Sequence, residues 1–381
     1  MPALPLYRRF LNLTLLTLMS SSAILTTTAN AHEARFYLGP YTKPGKSEGI
    51  YTSVLDTETG QMSPPVLAAT AKNPGFLAIS PNGRYLYAAM EEQSGAVGAF
   101  KVLPDGTLQP LNIMASGGAG ACHVWVDVTG HNVLVANYSD GSVAVLQTAE
   151  DGSLARQGAY VKFTGSGPDP KRQKQSYGHS IYTDPSNKFV YVCDLGSDKV
   201  WSFAFDAEWG TLKALEPAAG IVPPGGGPRH LAISPDGEQV YVANEMGLTV
   251  THFSRNVKTG DLSPLETLST MSEGAPREGV TVAEIFLHPS NKWLYVSNRK
   301  RDTYAVYSVK PDGGLAWVEE ADAGVKIPRG FAIDPSGNWL ISAGQDDDKV
   351  TVLKIDQTSG KLTPTDHNIT VGNAVCVLFA P

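Results

Sequence analysis

The chain has 381 residues, 42% of them hydrophobic and 18% charged, enough apolar material for a large buried core. Its 37 acidic and 30 basic side chains leave a formal net charge of −7. This balance excludes a general electrostatic grip on nucleic acid or on anionic membranes, and neither is expected as a partner.

Residues 1–31 read as a secretory leader. Arg8 and Arg9 precede a short apolar run from Phe10 to Leu18, and Ala29-Asn30-Ala31 matches a small-residue cleavage site. The run is too short and too rich in Thr and Ser to span a bilayer. The expected mature chain, residues 32–381, is therefore periplasmic or secreted, with a net charge of −9 once two arginines are removed. Its three cysteines, Cys122, Cys193 and Cys376, show no metal-ligand spacing, and no metal or other cofactor is expected. An odd count leaves at least one thiol free, and all three are read as small buried hydrophobes.

From residue 35 onward the chain reads as a repeat. Arg35–Leu38, Gly49–Leu55 and Pro65–Ala69 are three short β-rich runs. A fuller unit then recurs, built on turn positions at Pro81, Val128, Pro185, Pro235, Pro289 and Pro335, roughly 50 residues apart. In each unit an apolar strand precedes the turn and a β-rich phrase follows it: Tyr85–Ala89, Asn132–Asn137, Phe189–Asp194, Val240–Ala243, Trp293–Asn298 and Trp339–Ala343. A third strand follows, and Gly106, Gly210, Gly260 and Gly360 then open turns into a fourth. No helical periodicity competes. Four antiparallel strands per unit predict an all-β propeller. Six units are complete, and the last run, Val375–Pro381, matches a first strand that stops at its turn proline. It supplies what the three N-terminal runs lack, so the expected fold is a seven-bladed β-propeller whose last blade is closed by strands from both termini. Closure removes the free sheet edges of an open array.

In a propeller the first strand of each blade lines the central channel. Counting back from each turn brings Gly75/Phe76, Cys122/His123, His179/Ser180, Arg229/His230, Ala283/Glu284, Arg329/Gly330 and Val375/Cys376 to one mouth. Counting forward brings Met90/Glu91, Asn137/Tyr138, Asp194/Leu195, Asn244/Glu245, Asn298/Arg299 and Gly344/Gln345 to the same rim. Arg229, Arg299 and Arg329 suit a carboxylate or phosphate through bidentate hydrogen bonds. His179 and Glu245 join them because charged or titratable groups gathered around one cleft need each other. For His123, His230, Glu284 and Arg329 both a structural and a functional role stay open. Asn137, Asp194, Asn244 and Asn298 are read as groups that satisfy turn backbones. An insertion, Phe163–Gly178, runs into His179 and offers Lys171, Arg172 and Lys174 either to an anion or to solvent.

Gly227-Pro-Arg229-His230-Leu-Ala-Ile-Ser-Pro-Asp-Gly237 with Val-Tyr-Val-Ala-Asn244-Glu245 resembles the seven-bladed β-propeller lactonase family, which includes 6-phosphogluconolactonases and the fungal carboxy-cis,cis-muconate cyclase. Lys171-Arg-Gln173 ahead of Gly178-His179, Cys193–Asp198, and Ala283–Pro289 with Leu294–Arg299 extend the resemblance over essentially the whole mature chain. It implies His179, Arg229, Glu245 and Arg299 as catalytic residues. The candidate substrate-binding residues are His123, Arg172, His230, Glu284, Arg329 and Gln345. Two departures fall near the site: the second His that the family usually has near Tyr177 is missing, and Lys300-Arg301-Asp302 replaces a Gly-His-Asp run. The expected activity is hydrolysis of a sugar-derived (6-phosphogluconolactone-like) or other anionic lactone by a monomer, with Glu245 or His179 as general base. Two alternatives are a lactonising cycloisomerase acting on a muconate-like acid and a non-catalytic exported binding propeller.

Overall fold

The computed structural model describes residues 1–2 and 32–381. The leader reading therefore falls almost entirely outside the described residues. His32–Pro381 is one compact unit of seven four-stranded antiparallel sheets. The innermost strands of blades 1 to 6 are Pro74–Ile79, Ala121–Val126, Gly178–Thr183, Pro228–Ile233, Thr281–Leu287 and Pro328–Ile333. Blade 7 takes its inner strand, Ala374–Phe379, from the end of the chain and pairs it with Glu33–Pro40, followed by Gly49–Asp56 and Val66–Thr70. The closure expected from the sequence is present, and the fold class holds throughout.

The repeated phrase has a double use. Its β-branched residues lie buried between neighbouring blades, as Val240 and Val242 do at 0% exposure. Each such burial stabilises the fold by about 1.5–3 kcal/mol. Its tyrosine fastens one blade to the next. The hydroxyls of Tyr37, Tyr87, Tyr191, Tyr241 and Tyr295 donate to the carbonyls of Gly106, Gly152, Gly260, Gly313 and Gly360, at 2.7–3.1 Å. Gly260 can sit directly under Phe189 because it has φ of 81° and no Cβ. Where the phrase has no tyrosine, other donors take over. Asn132 Nδ2 donates to the Ala207 carbonyl at 2.9 Å, and Trp339 Nε1 to the Thr57 carbonyl at 2.9 Å.

The inner strand of blade 4, Pro228–Ile233, includes Arg229 and His230. Pairing continues because the register slips there: Pro228 faces Asn244 and His230 faces Ala243, leaving Arg229 as an extra residue. The same slip occurs at Gly75, Cys122, His179, Arg329 and Val375 and within Ala283–Glu284, so all seven inner strands bulge at one level. A bulge turns a side chain away from the strict alternation of a strand. Here it lets two successive residues of one strand serve the channel mouth.

The three cysteines are all free and buried. Burial pushes the thiols of Cys193 and Cys376 up to about 12, consistent with their reading as small hydrophobes.

Candidate active site

The bulge level carries a compact charged cluster centred on Glu245. Its Oε1 lies 2.7 Å from Arg172 Nη2, and its Oε2 lies 3.2 Å from Arg229 Nε and 3.0 Å from Arg299 Nη2. The three arginines come from the insertion before blade 3, the inner strand of blade 4 and the second strand of blade 5. They meet only because the blades are neighbours. Two of them are fixed from behind: Arg229 Nη1 donates to the Ala283 carbonyl at 2.7 Å, and Arg299 Nη2 to the Val282 carbonyl at 3.1 Å. Burial alone would raise the Glu245 carboxyl, but Arg299, Arg229 and Arg172 hold it down at about 2. The same burial brings Arg299 down to about 10. One carboxylate facing three guanidiniums leaves a local surplus of positive charge.

The insertion is a folded loop. Asp169 Oδ1 accepts from the amides of Lys171 and Arg172, and Gln173 Nε2 donates to the Leu195 carbonyl at 2.9 Å and to Asp198 Oδ1 at 2.6 Å. This fold aims Arg172 at the cluster and leaves Lys171 and Lys174 exposed. Of the three cations the sequence offered, only Arg172 reaches the site.

Beside the arginines lies a group of imidazoles. The His230 ring stands 5.2 Å from His179 and 5.3 Å from His123, edge-on to both, and His123 also packs against Phe76 at 4.2 Å. His230 Nδ1 is 2.7 Å from Glu284 Oε1. The Ile181 amide donates to His123 Nδ1, so the proton of that ring sits on Nε2. His123 Nε2, His179 Nδ1 and His230 Nε2 are all buried and have no hydrogen-bond partner among the described residues. Burial pushes all three imidazoles well below their ordinary range, with Arg229 adding to the effect on each. Burial raises the Glu284 carboxyl to about 7, although Arg229 pulls the other way.

The structure thus brings together His123, Arg172, His179, Arg229, His230, Glu245, Glu284 and Arg299. Arg329 joins from the side. Its guanidinium lies 5.4 Å from the ring centre of Tyr41, whose hydroxyl donates to Glu91 Oε2 at 2.5 Å. Gln345 stands apart from this group. It follows the end of its strand at Gly344 and stands half-buried on the rim, its backbone bonded to the Ile327 carbonyl and the Asn373 side chain, and no described hydrogen bond ties its side chain to the cluster. Asn137, Asn244 and Asn298 donate to Ser142, Thr249 and the Thr270 carbonyl, and Asp194 accepts from the Tyr177 amide. Asn137 and Asn244 thus bond within their own hairpins, whereas Asn298 and Asp194 reach across to segments 28 and 17 residues earlier in the chain.

Sequence reasoning missed an aromatic wall. Tyr138 stacks on Tyr177 at 4.9 Å, meets the His179 ring edge-on at 5.4 Å, and receives a hydrogen bond from Arg172 on its hydroxyl at 3.3 Å. The available signal was that Tyr138 directly follows Asn137 in the rim register. On the other side of the imidazoles the channel opens into a cavity of about 640 Å³, with Ile79, Val126, Ile233, Leu287 and Phe331 among its apolar walls and His123 and Glu284 in its lining.

Comparison with known proteins fits this arrangement. The family described as "Lactonase, 7-bladed beta-propeller" matches residues 35–379. The chain is 33% identical over 346 residues to a 6-phosphogluconolactonase of Bacillus subtilis, covering 90% of this chain and 97% of that protein. It is 30% identical over 346 residues to a 6-phosphogluconolactonase of Formosa agariphila, covering 89% and 97%. Among solved structures, a periplasmic gluconolactonase of Pseudomonas aeruginosa superposes with a TM-score of 0.86 at 29% identity, covering 92% of this chain and 99% of that one.

Proposed function

The chain belongs to the seven-bladed β-propeller lactonase family, and from that premise we propose that it hydrolyses a sugar-derived lactone to the hydroxy acid. The observation that carries this reading is the convergence of Arg172, Arg229 and Arg299 on the single carboxylate of Glu245, beside the His179 ring. A lactonase must hold a polar substrate, stabilise the oxyanion that forms when water adds to the carbonyl, and accept a proton from that water. The surplus guanidinium charge supplies the first two. His179, kept neutral at physiological pH, supplies the third. Glu245 is a poor base, because three arginines hold it ionised. Its role is to space and orient them. The ring C–O bond then breaks, and the departing alkoxide takes back the proton first removed from water.

The leader-like residues 1–31 and the periplasmic relative support action outside the cytoplasm, where an unphosphorylated aldonolactone is the more accessible substrate. The test uses purified, chelator-treated protein with glucono-1,5-lactone, 6-phosphogluconolactone and a carboxymuconate. Rapid hydrolysis of either sugar lactone, lost in Arg229→Met, supports the proposal. Turnover of the muconate alone would replace hydrolysis by cycloisomerisation, and turnover of none would leave a binding propeller.

A further inference from the structure

Glu284 and His230 are both buried, and Glu284 lines the channel cavity. Burying a carboxyl and an imidazole costs free energy unless each is matched. They are matched to each other at 2.7 Å. The Ile285 amide also donates to Glu284 Oε1 at 3.0 Å. Beyond them His230 Nε2 ends without a partner among the described residues, and so does His179 Nδ1 on the edge-on ring. The two nitrogens belong to adjacent buried rings whose centres are 5.2 Å apart, a spacing that one bridging water can span.

We propose that Glu284 and His230 form a proton relay behind His179, so that when His179 takes a proton from the attacking water, one proton is handed on at each step and the Glu284 carboxyl ends protonated. This rests on the lactonase reading of the same site. In the resting relay Glu284 is ionised, His230 carries its proton on Nδ1 and His179 on its own Nδ1. As water adds to the lactone carbonyl, His179 Nε2 gains a proton. The His179 Nδ1 proton passes to His230 Nε2, and the His230 Nδ1 proton passes to Glu284. Every imidazole is neutral before and after. Reversal of the chain returns the proton to the alkoxide as the ring opens.

The electrostatics favour this endpoint. Arg229 and Arg329 both oppose an imidazolium at His179 or His230, and burial opposes it further. The carboxyl faces groups that do not compete for the proton. Tyr182, Tyr304 and Cys376 are pushed up and stay neutral, His123 is pushed down and stays neutral, and Arg229 and Arg329 act on Glu284 only as nearby positive charge. Burial leaves Glu284 itself near 7, poised to gain and release a proton at working pH. Glu284 and His230 are positioning residues, since they act through His179.

The test compares wild type, Glu284→Gln and His230→Gln. Both variants are expected to lose about 100-fold or more in kcat with KM within threefold, in line with the usual contribution of general-base catalysis. Wild-type kcat should rise with pH through about 7, and this limb should vanish in Glu284→Gln, leaving a flat low rate. A kcat within threefold of wild type with the limb intact would overturn the relay. A second readout needs no substrate. In protein labelled with ¹⁵N-histidine, His230 should carry its proton on Nδ1 at pH 8 and show a downfield hydrogen-bonded resonance that Glu284→Gln removes. Absence of that resonance in wild type overturns the relay even if lactones are hydrolysed. Its presence in a protein that hydrolyses no lactone supports the hydrogen-bonded array and refutes the lactonase reading alone. If either variant fails to fold by circular dichroism, the other and the wild-type spectrum decide.

Discussion

Arg229 approaches Glu245 with its Nε at 3.2 Å while its Nη1 is held by the Ala283 carbonyl at 2.7 Å, so one side chain links the second strand of its own blade to the inner strand of the next. The bulge at Arg229 makes this possible, since a residue in regular register would point elsewhere. The site is therefore an interblade construction, and its variants should report on stability as well as chemistry.

Glu245→Gln removes the charge that holds three guanidiniums together. Arg229 and Arg299 are buried and would face each other uncompensated, a change that costs about 3–5 kcal/mol when one partner of a buried pair is lost. The variant should unfold at lower denaturant concentration and bind inorganic phosphate more tightly than wild type, because the surplus positive charge has grown. Lactone turnover should fall about 100-fold as the oxyanion donors lose their spacing. Denaturation and phosphate calorimetry check both halves. Unchanged stability with weaker phosphate binding would refute the assignment.

Arg172 should behave differently. Its side chain is 41% exposed against 6% for Glu245, so their pair contributes only about 0–1 kcal/mol to stability. Its Nη2 contacts both Glu245 and the Tyr138 hydroxyl, joining the insertion to the mouth. Arg172→Ala should keep the wild-type melting temperature and raise KM about tenfold. Arg172→Lys should recover little of this, since one ammonium does not reproduce a planar guanidinium. Steady-state kinetics of the pair decide.

Acid should destabilise the fold well above the range of ordinary carboxylates. His123, His179 and His230 have depressed folded values, so below about 6.5 the unfolded chain binds protons that the folded one refuses, and stability falls with pH. Glu245, held at about 2 in the fold against an ordinary 4.5, stabilises above 4.5 and loses that contribution as pH falls toward 2. Glu284 works oppositely. Its folded value near 7 stabilises fully below 4.5, and that contribution is lost as pH rises through 7. Three imidazoles outweigh one carboxyl between pH 7.5 and 5, so the melting temperature should drop across that interval, and more steeply in Glu284→Gln. A flat or rising curve would contradict the buried neutral histidines.

The sequence by itself determined the seven blades, their closure by the two ends of the chain, and the level at which ionisable residues gather. Each of these depends on local alternation and turn residues repeated about every 50 positions, which strand geometry reads directly. The tyrosines of the repeated phrase were visible there too, but not their task, because their glycine acceptors lie some 65 to 72 residues away. The three-dimensional fold alone shows that Arg172, Arg229 and Arg299 converge on Glu245 and hold its carboxyl down. Only it showed that Arg172 alone of the loop cations turns inward, that Gln345 stays on the rim, and that Glu284 stands behind His230. Those outcomes depend on register slips and on distances between blades, and a protonation state follows from burial and neighbouring charge, neither of which is carried by the order of residues along one strand.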